Sequence, residues 1–147
     1  MSWLPATLRR EVIDRADGRC EYCGLSQTGQ VATFHIDHIV PVASGGLAEP
    51  KNLALACVSC SLRKAARQTA RDPASGLEVP LFHPRFQIWS DHFQWEGVGL
   101  VGLTANGRAT VELLRLNRSL MLSIRAEETL MGRHPPPRHW QQRQWTF

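Results

Sequence analysis

The sequence has no long apolar run and very little lysine. No stretch of its 147 residues approaches the roughly 18 apolar residues of a membrane span, and the start, MSWLPATLRREV, lacks the apolar segment of a secretion signal. We therefore expect a cytoplasmic protein with no membrane partner. Only Lys51 and Lys64 among the 17 basic residues are lysines. The arginines and the net charge of +4 favour a polyanionic partner, although such a charge also occurs in proteins that bind no nucleic acid.

The N-terminal residues predict a helix. Apolar side chains recur four positions apart at Leu4, Leu8 and Val12, with charged residues between them. This stripe is typical of an amphipathic helix, which we expect over residues 3–17. Gly18 is the expected stop. A chain of this length is long enough for one compact domain with a tail.

The middle of the chain predicts a strand followed by a helix. β-branched residues indicate an extended segment over residues 31–42, and the composition becomes helical from residue 56 to about residue 71. The stretch DPASG, Asp72–Gly76, then predicts a turn or linker.

The last third predicts two short strands about Gly97, a turn at Asn106-Gly107, and one or two helices over residues 107–131. The end of the chain, residues 132–147, has three consecutive prolines and no acidic residue, so we expect a disordered or loosely docked tail. The helical prediction rests on apolar residues three or four positions apart: Leu113, Leu116, Leu120 and Ile124.

The four cysteines form two C-x-x-C pairs, Cys20 with Cys23 and Cys57 with Cys60. Each pair has the spacing that presents two thiolates to one tetrahedral ion, and disulfides are not expected in a reducing compartment. The sequence therefore predicts a structural Zn²⁺ with four thiolate ligands. The alternatives are a thiol-redox motif, which needs only one pair, and four unrelated buried cysteines.

Between the two pairs lies HIDHIVP, a strand-like run with three polar side chains. A neutral histidine can accept a proton near pH 7, and a carboxylate suits a hard ion such as Mg²⁺ or Mn²⁺. His38 and Asp37 offer both functions. Because neighbouring side chains on a regular strand point to opposite faces, these two must lie at a strand end or a distortion. His35 could share the face of Asp37.

The order of these motifs resembles the HNH endonucleases over about residues 17–67. The resemblance implies an α+β fold with a ββα-metal (His-Me finger) core, a structural zinc, an N-terminal helix and a C-terminal strand-helix extension. On this basis we divide the chain into a nuclease core at 1–71, an extension at 72–131 and the tail. The matching features are the first C-x-x-C pair, Asp37-His38, Pro41, the Gly45-Gly46 loop, Asn52-Leu53, the second C-x-x-C pair and Lys64.

The resemblance also implies roles. His38 would be the general base, Asp37 a ligand of a catalytic Mg²⁺ or Mn²⁺, and Asn52 the residue that fixes the loop orienting the histidine. The reaction would be hydrolysis of a DNA phosphodiester. Oligomeric state and the form of the substrate are not indicated by the sequence.

One position departs from the family pattern. The residue after the final cysteine, usually histidine or asparagine, is Ser61. A hydroxyl is a poorer ligand than either, so the ion could instead be held by Asp37, water and phosphate. Alternatively His83 or His92 from the extension would complete the site, unless these histidines simply pack against aromatic neighbours. The departure also keeps open a second reading, a non-catalytic zinc-stabilised nucleic-acid-binding module.

Several basic side chains are candidates for contact with nucleic acid: His35, Arg63, Lys64 and Arg67. The last three follow the final cysteine on a predicted helix, and some of them would touch phosphate; His35 would be a phosphate contact or supporting ligand. The alternatives are a solvated basic face and a structural, hydrogen-bonded histidine. Trp140 and Trp145 could stack on bases, although an unstructured tail is the simpler expectation.

Overall fold

The computed structural model describes residues 4–147. Its first element is helix α1 (Ala6–Arg15), which buries Val12 completely and so has the predicted apolar stripe. The helix prediction began at residue 3, which lies outside the described residues. Gly18 adopts a left-handed conformation with φ of 65°, and its N–H donates to Ile13 O at 3.1 Å. It therefore caps the end of the helix as expected.

The centre of the molecule is an antiparallel hairpin followed by a helix. Strand β1 (His35–His38) pairs with β2 (Leu53–Ala56) from His35 opposite Ala56 to His38 opposite Leu53. Helix α2 (Val58–Lys64) follows one residue later. All four residues of β2 are buried, so the hairpin lies in the core. Only residues 35–38 of the predicted extended segment 31–42 form a strand. Val31, at the start of the predicted segment, is fully exposed and pairs with no strand.

The connection between β1 and β2 is tightly folded at Gly46. A Cβ atom at this position would lie 1.7 Å from the backbone oxygen of Val40 and 2.9 Å from Asn52 Nδ2. Only glycine fits so close to another backbone segment. The loop is therefore held against the end of β1 rather than extending into solvent.

Helix α2 is shorter than predicted. It ends at Lys64 because Ala65 takes a left-handed φ of 47°, and the chain then forms strand β3 (Thr69–Arg71). This strand pairs with β4 (Glu78–Pro80) across the turn at Asp72–Gly76. The predicted turn is confirmed, whereas the helical prediction for residues 65–71 is wrong.

The extension contains a second hairpin and two helices. The chain reverses direction in this hairpin at Gly97, which has a φ of 63°, as predicted. Arg115, in the left-handed region, separates the two following helices. Leu120 lies beyond this break and is exposed, so the four apolar residues behind the helix prediction do not share one buried face. The elements are α3 (Trp89–His92), β5 (Phe93–Glu96), β6 (Gly99–Gly102), α4 (Ala105–Leu114) and α5 (Ser119–Leu130).

The predicted turn at Asn106-Gly107 is instead the first turn of α4. Thr104 caps this helix, since its hydroxyl accepts from Gly107 N at 3.1 Å. A Cβ at residue 107 would lie 2.1 Å from His92 O, so the glycine serves close packing of α4 against the chain before β5. The Asn-Gly pair is therefore not a hairpin turn.

The C-terminal segment is packed on the core, and the expectation of a disordered or loosely docked tail is wrong. Trp140, in helix α6 (Arg138–Gln141), is completely buried. Its indole N–H donates to Ala16 O at 3.1 Å, and its ring lies 5.7 Å from that of Trp89. A large aromatic side chain supplies enough buried surface to fix a Pro-rich segment.

These helices and three two-stranded sheets surround one main apolar cluster, which confirms the predicted α+β class. None of the helices formed by residues 4–147 has both the length and the apolar composition needed to cross a bilayer.

Candidate active site and zinc centre

The four cysteines come together at a single buried site. Their sulfur atoms all lie within 4.8 Å of one another, and the Sγ atoms of Cys23 and Cys57 are 3.8 Å apart. A tetrahedral Zn²⁺ with Zn–S bonds of about 2.3 Å places its sulfurs about 3.8 Å apart, so the donor set fits this ion. The structure thus contains the four-cysteine zinc-binding site that the sequence predicted.

The turns of the two C-x-x-C pairs favour thiolate at the first cysteine of each pair. In each turn a backbone N–H points at the first sulfur, from Cys23 N to Cys20 Sγ at 3.5 Å and from Cys60 N to Cys57 Sγ at 3.4 Å. Hydrogen bonding from the neighbouring thiols, Cys20 first, lowers the pKa of Cys57, whereas hydrogen bonds with Cys20 and burial raise the pKa values of Cys23 and Cys60. A closed, buried set of four sulfurs is the form of a structural site, with no ligand position for substrate.

Asp37 lies on the inner face of β1 and is 9% exposed. Its Oδ2 accepts a hydrogen bond from the Tyr22 hydroxyl at 2.8 Å and lies 3.2 Å from Lys64 Nζ. Burial raises the pKa of the Asp37 carboxyl, while Lys64 and the Tyr22 hydroxyl oppose that rise. Asp37 is therefore the anionic partner of a buried lysine.

Lys64 is 2% exposed, so neither the proposed phosphate contact nor the alternative of a solvated basic face describes it. Its ammonium also donates to the backbone oxygens of His38 and Ile39, at 3.3 Å each. A buried ammonium needs such partners because its desolvation is costly. Lys64, one of the candidates for contact with phosphate, instead supports the end of β1 from inside the core.

His38 is the last residue of β1 and is half-buried. The strand pairs regularly through Asp37 opposite Ala54 and His38 opposite Leu53, without a bulge. Strand alternation consequently directs the two side chains to opposite faces of the hairpin, with Asp37 towards α2. The strand end required by the sequence argument is present, but the two groups do not share a face.

The side chain of Asn52 continues the hairpin beyond His38. Its Oδ1 accepts from Val40 N at 2.8 Å, and its Nδ2 donates to Val40 O and to Leu47 O, at 3.0 Å each. The amide thus takes the place of a paired backbone segment. Asn52 is buried and holds both the residue after Ile39 and the following loop.

His35 and Ser61 contact each other across β1 and α2. His35 Nδ1 and Ser61 Oγ are 2.9 Å apart. The serine that departs from the family pattern is therefore hydrogen-bonded to a histidine two residues before Asp37. This contact agrees with the structural alternative for His35, that of a hydrogen-bonded histidine.

The extension histidines are engaged locally. His92 Nδ1 lies 2.6 Å from Thr104 Oγ1, and the His92 ring is 5.6 Å from that of Phe82. His83 stacks on Phe86 with ring centroids 4.3 Å apart. Within residues 4–147 the cysteine site is the only group of three or more His, Cys, Asp or Glu side chains close enough to hold one ion. The packing alternative therefore describes His83 and His92.

Sequence reasoning missed the two residues between Cys20 and Cys23. Glu21 Oε2 accepts from Leu55 N at 2.8 Å, and its other oxygen pairs with the buried Arg85. Tyr22 contacts Asp37, as described above. The zinc turn is thus attached both to β2 and to the candidate active site. The sequence did contain a signal for these two contacts, because a charged residue and a hydroxyl-bearing residue lie between two cysteines that were predicted to bind metal.

The remaining basic candidates are accessible to different degrees: Arg63 is half-buried and Arg67 is exposed. Both follow the zinc site on the side where α2 ends. Either side chain is therefore available to meet an anion at the surface.

An antiparallel hairpin, a following helix and a four-cysteine site between them define a zinc-stapled ββα domain. Residues 20–67 match the family model described as HNH endonuclease. The match spans about a third of the chain and contains both cysteine pairs, Asp37, His38 and Asn52. No curated protein and no solved structure gives a match.

Proposed function

We propose that the protein is a divalent-metal-dependent HNH endonuclease that hydrolyses DNA phosphodiester bonds. The observation that supports this most strongly is the placement of His38 at the end of β1, where Asn52 holds the segment that follows it. A histidine fixed in this way at the edge of a folded core can act on a phosphate at the surface.

In this mechanism His38 is the general base. Its imidazole takes the proton of a water molecule as that water attacks phosphorus and the bond between phosphorus and the 3′ oxygen breaks. The departing 3′ oxygen takes a proton from solvent water, which leaves a 3′-hydroxyl and a 5′-phosphate, and the proton on His38 is then released to solvent. Asn52 positions the histidine by holding Val40 and the loop beyond it. Lys64 contributes by binding the backbone oxygen of His38 from inside the core.

The divalent ion would be held by Asp37. When bound, Mg²⁺ or Mn²⁺ neutralises charge on the phosphate and the departing oxygen. One Asp37 oxygen is already bonded to Tyr22 and Lys64, and the Ser61 hydroxyl is bonded to His35. Asp37 also lies on the face of β1 opposite His38, so this donor set would fit only an ion that takes most of its ligands from water and phosphate, as Mg²⁺ does in many phosphate-handling sites.

DNA is the proposed partner, and the arginines beyond α2 are proposed to contact its backbone. Arg67 is exposed and Arg63 is half-buried, so both can reach phosphate oxygens without unfolding any element. Such contacts carry little sequence information. The net charge of +4 supports the same class of partner.

The test is plasmid cleavage with Mg²⁺ or Mn²⁺ by the wild type and by His38→Ala. We expect the variant to cleave at least about a hundredfold more slowly, because a general base contributes roughly that factor. His139→Ala is a matched control, since that side chain is 72% exposed and lies in the C-terminal segment. Equal rates for His38→Ala and the wild type would refute the assignment of the base.

A non-catalytic nucleic-acid-binding module is the second candidate, and the Lys64–Asp37 ion pair favours it. A carboxylate neutralised by a buried ammonium is a weaker ligand for a cation, and Ser61 does not supply a strong one. This candidate predicts DNA binding without cleavage under every metal tested. Ser61→His, which restores the usual residue, would then produce metal-dependent cleavage that the wild type lacks.

A further inference from the structure

A stacked pair, the half-buried His83 and the exposed Phe86, lies beside the end of β1. The two rings stack at 4.3 Å with an interplanar angle of 19°. Phe86 is 69% exposed although it belongs to a well-packed segment. Exposing a large ring that is already stacked on one side leaves its remaining surface available for another flat, apolar group.

This pair separates two cavities. The larger cavity has a volume of about 420 Å³, and its lining includes Lys64, Phe82 and Asn106. The smaller cavity has a volume of about 360 Å³, and its lining includes Gly46, Lys51 and Asn52. Val40, His83 and Phe86 line both. These volumes lie at the lower end of the range of small-ligand sites, about 300–1,000 Å³.

The position of the cavities links them to the proposed reaction. Val40 is two residues after His38, and Lys64, which lines the larger cavity, donates to the His38 backbone oxygen. A group bound against Phe86 would therefore be a near neighbour of the phosphate handled by His38. In nucleic acid, the flat group next to a phosphate is a base.

The aromatic pair is held rigidly. The backbone N–H groups of Arg85 and Phe86 donate to His83 Nδ1 at 3.1 and 3.3 Å, and Gln87 Oε1 accepts from His83 N at 2.9 Å. Arg85, which lies between His83 and Phe86 in the sequence, is buried and paired with Glu21. The platform is thus anchored from beneath, and little side-chain entropy is lost when a base stacks on it.

The imidazole of His83 is suited to stacking in its neutral form. Because Nδ1 accepts from backbone N–H groups, the hydrogen-bond pattern places the ring proton on Nε2. Burial lowers the pKa of His83, and Lys64 lowers it further. Beside the larger cavity, the side-chain amide of the exposed Gln68 can pair with a base edge, while those of Gln87 and Asn106 are bonded to each other and to the backbone.

We propose that the His83–Phe86 platform binds an unstacked nucleobase next to the phosphate at His38, so that the protein prefers DNA with unpaired bases over regular duplex. This inference rests on the proposed function, since it names the substrate class of the same site. A base in intact duplex is covered on both faces by its neighbours, whereas one in a single strand, flap or junction can stack on protein.

The test compares Phe86→Ala with a control, Phe147→Ala. The control also removes an exposed phenylalanine, since Phe147 is 64% exposed, but it lies in the C-terminal segment, away from the platform in sequence. Binding is measured by fluorescence anisotropy with zinc-loaded protein, without Mg²⁺ or Mn²⁺, using one labelled oligonucleotide in single-stranded and duplex form. We expect Phe86→Ala to weaken single-strand binding roughly ten- to hundredfold, the usual effect of losing one base-stacking ring, and to leave duplex binding unchanged. Phe86→Tyr should restore it.

A second readout reports stacking directly. Single-stranded DNA that contains 2-aminopurine should lose fluorescence when the wild type binds it, and this quenching should be absent with Phe86→Ala. The platform is refuted if the two alanine variants bind single-stranded DNA with equal affinity. It is also refuted if Phe86→Ala weakens duplex binding as much as single-strand binding. In either case, cleavage by the wild type would leave the nuclease proposal intact. If the wild type binds both forms but cleaves neither, the nuclease proposal fails while the binding comparison still decides the platform. If it binds no DNA, both proposals fail.

Discussion

Lys64 and Asp37 form a buried ion pair that joins helix α2 to strand β1, with 3.2 Å between Nζ and Oδ2. Both side chains are almost fully buried. The pair lies beneath the end of the strand that carries His38, and the same ammonium binds two backbone oxygens there. One lysine therefore connects the zinc-bearing helix to the candidate active site.

Removing the lysine should destabilise the domain. Lys64→Met keeps the volume of the side chain but leaves the Asp37 carboxylate buried without its cationic partner, which costs about 3–5 kcal/mol. We expect a loss of this size in the free energy of unfolding, measured by urea denaturation with zinc present. Arg67→Ala, an exposed residue three positions later, should change it by less than about 0.5 kcal/mol.

Pairing this change with Asp37→Asn separates charge from packing. The double variant Asp37→Asn with Lys64→Met should recover part of the lost stability, because no isolated buried charge remains. A double variant whose loss equals the sum of the two single losses would show that the two charges do not interact.

Zinc removal should unfold the core. Four buried thiolates converge on one ion, so binding of the metal and folding are coupled. We expect one Zn²⁺ per chain, loss of the cooperative thermal transition on chelation, and an unfolded Cys57→Ser variant. Val58→Ala, in the same turn but not a ligand, should keep its metal and its transition. A Cys57→Ser protein that melts like the wild type would contradict the structural role of the site.

The C-terminal segment should contribute strongly to stability. Trp140 is fully buried, so Trp140→Ala should cost about 3–5 kcal/mol in the free energy of unfolding. The control is Trp145→Ala, which removes a half-buried tryptophan from the same segment and should cost less. Chemical denaturation followed by far-ultraviolet circular dichroism makes the comparison. Equal small effects of the two substitutions would restore the expectation of a loosely docked tail.

Asp72 should make stability depend on acid pH. Hydrogen bonds from Arg108, at 2.9 and 3.0 Å, hold the pKa of Asp72 well below its usual value. A carboxyl with a lowered pKa in the folded protein adds stability above its unfolded pKa of about 3.9 and loses it as the pH falls through the folded pKa. Asp72→Asn should therefore be less stable than wild type at pH 7, and the difference should shrink below about pH 4.

Asp91→Asn, at an exposed position, is the control for this pH dependence. Release of zinc in acid affects the wild type and both variants alike, so only the difference between them reports on Asp72. A difference that stays constant across the acid range would show that the Arg108 contact does not set the pKa.

The parts of the site that depend on local spacing could be predicted from the sequence. Two C-x-x-C turns are sufficient to bring four sulfurs together, and the order of motifs around Asp37 and His38 indicates the HNH core. The partners of Asp37 could not be predicted in this way. They depend on where α2 lies under β1 and on how the zinc turn directs Tyr22, and both follow from tertiary packing.

The errors in the fold have the same origin. Asn106-Gly107 has the composition of a hairpin turn, but the cap at Thr104 and the close approach to His92 O place it in a helix. The tail has the composition of a disordered segment, yet Trp140 is completely buried among residues that are distant in the sequence. In each case a long-range contact overrides the local preference.

The bond from the Trp140 indole to the Ala16 carbonyl joins residues 124 positions apart. During synthesis from the N-terminus, helix α1 therefore lacks this packing partner until residue 140 has left the ribosome. Closing so large a loop is entropically slow. Nascent chains that end before residue 140 should accordingly remain sensitive to protease, and chains from which Trp140 has emerged should become resistant.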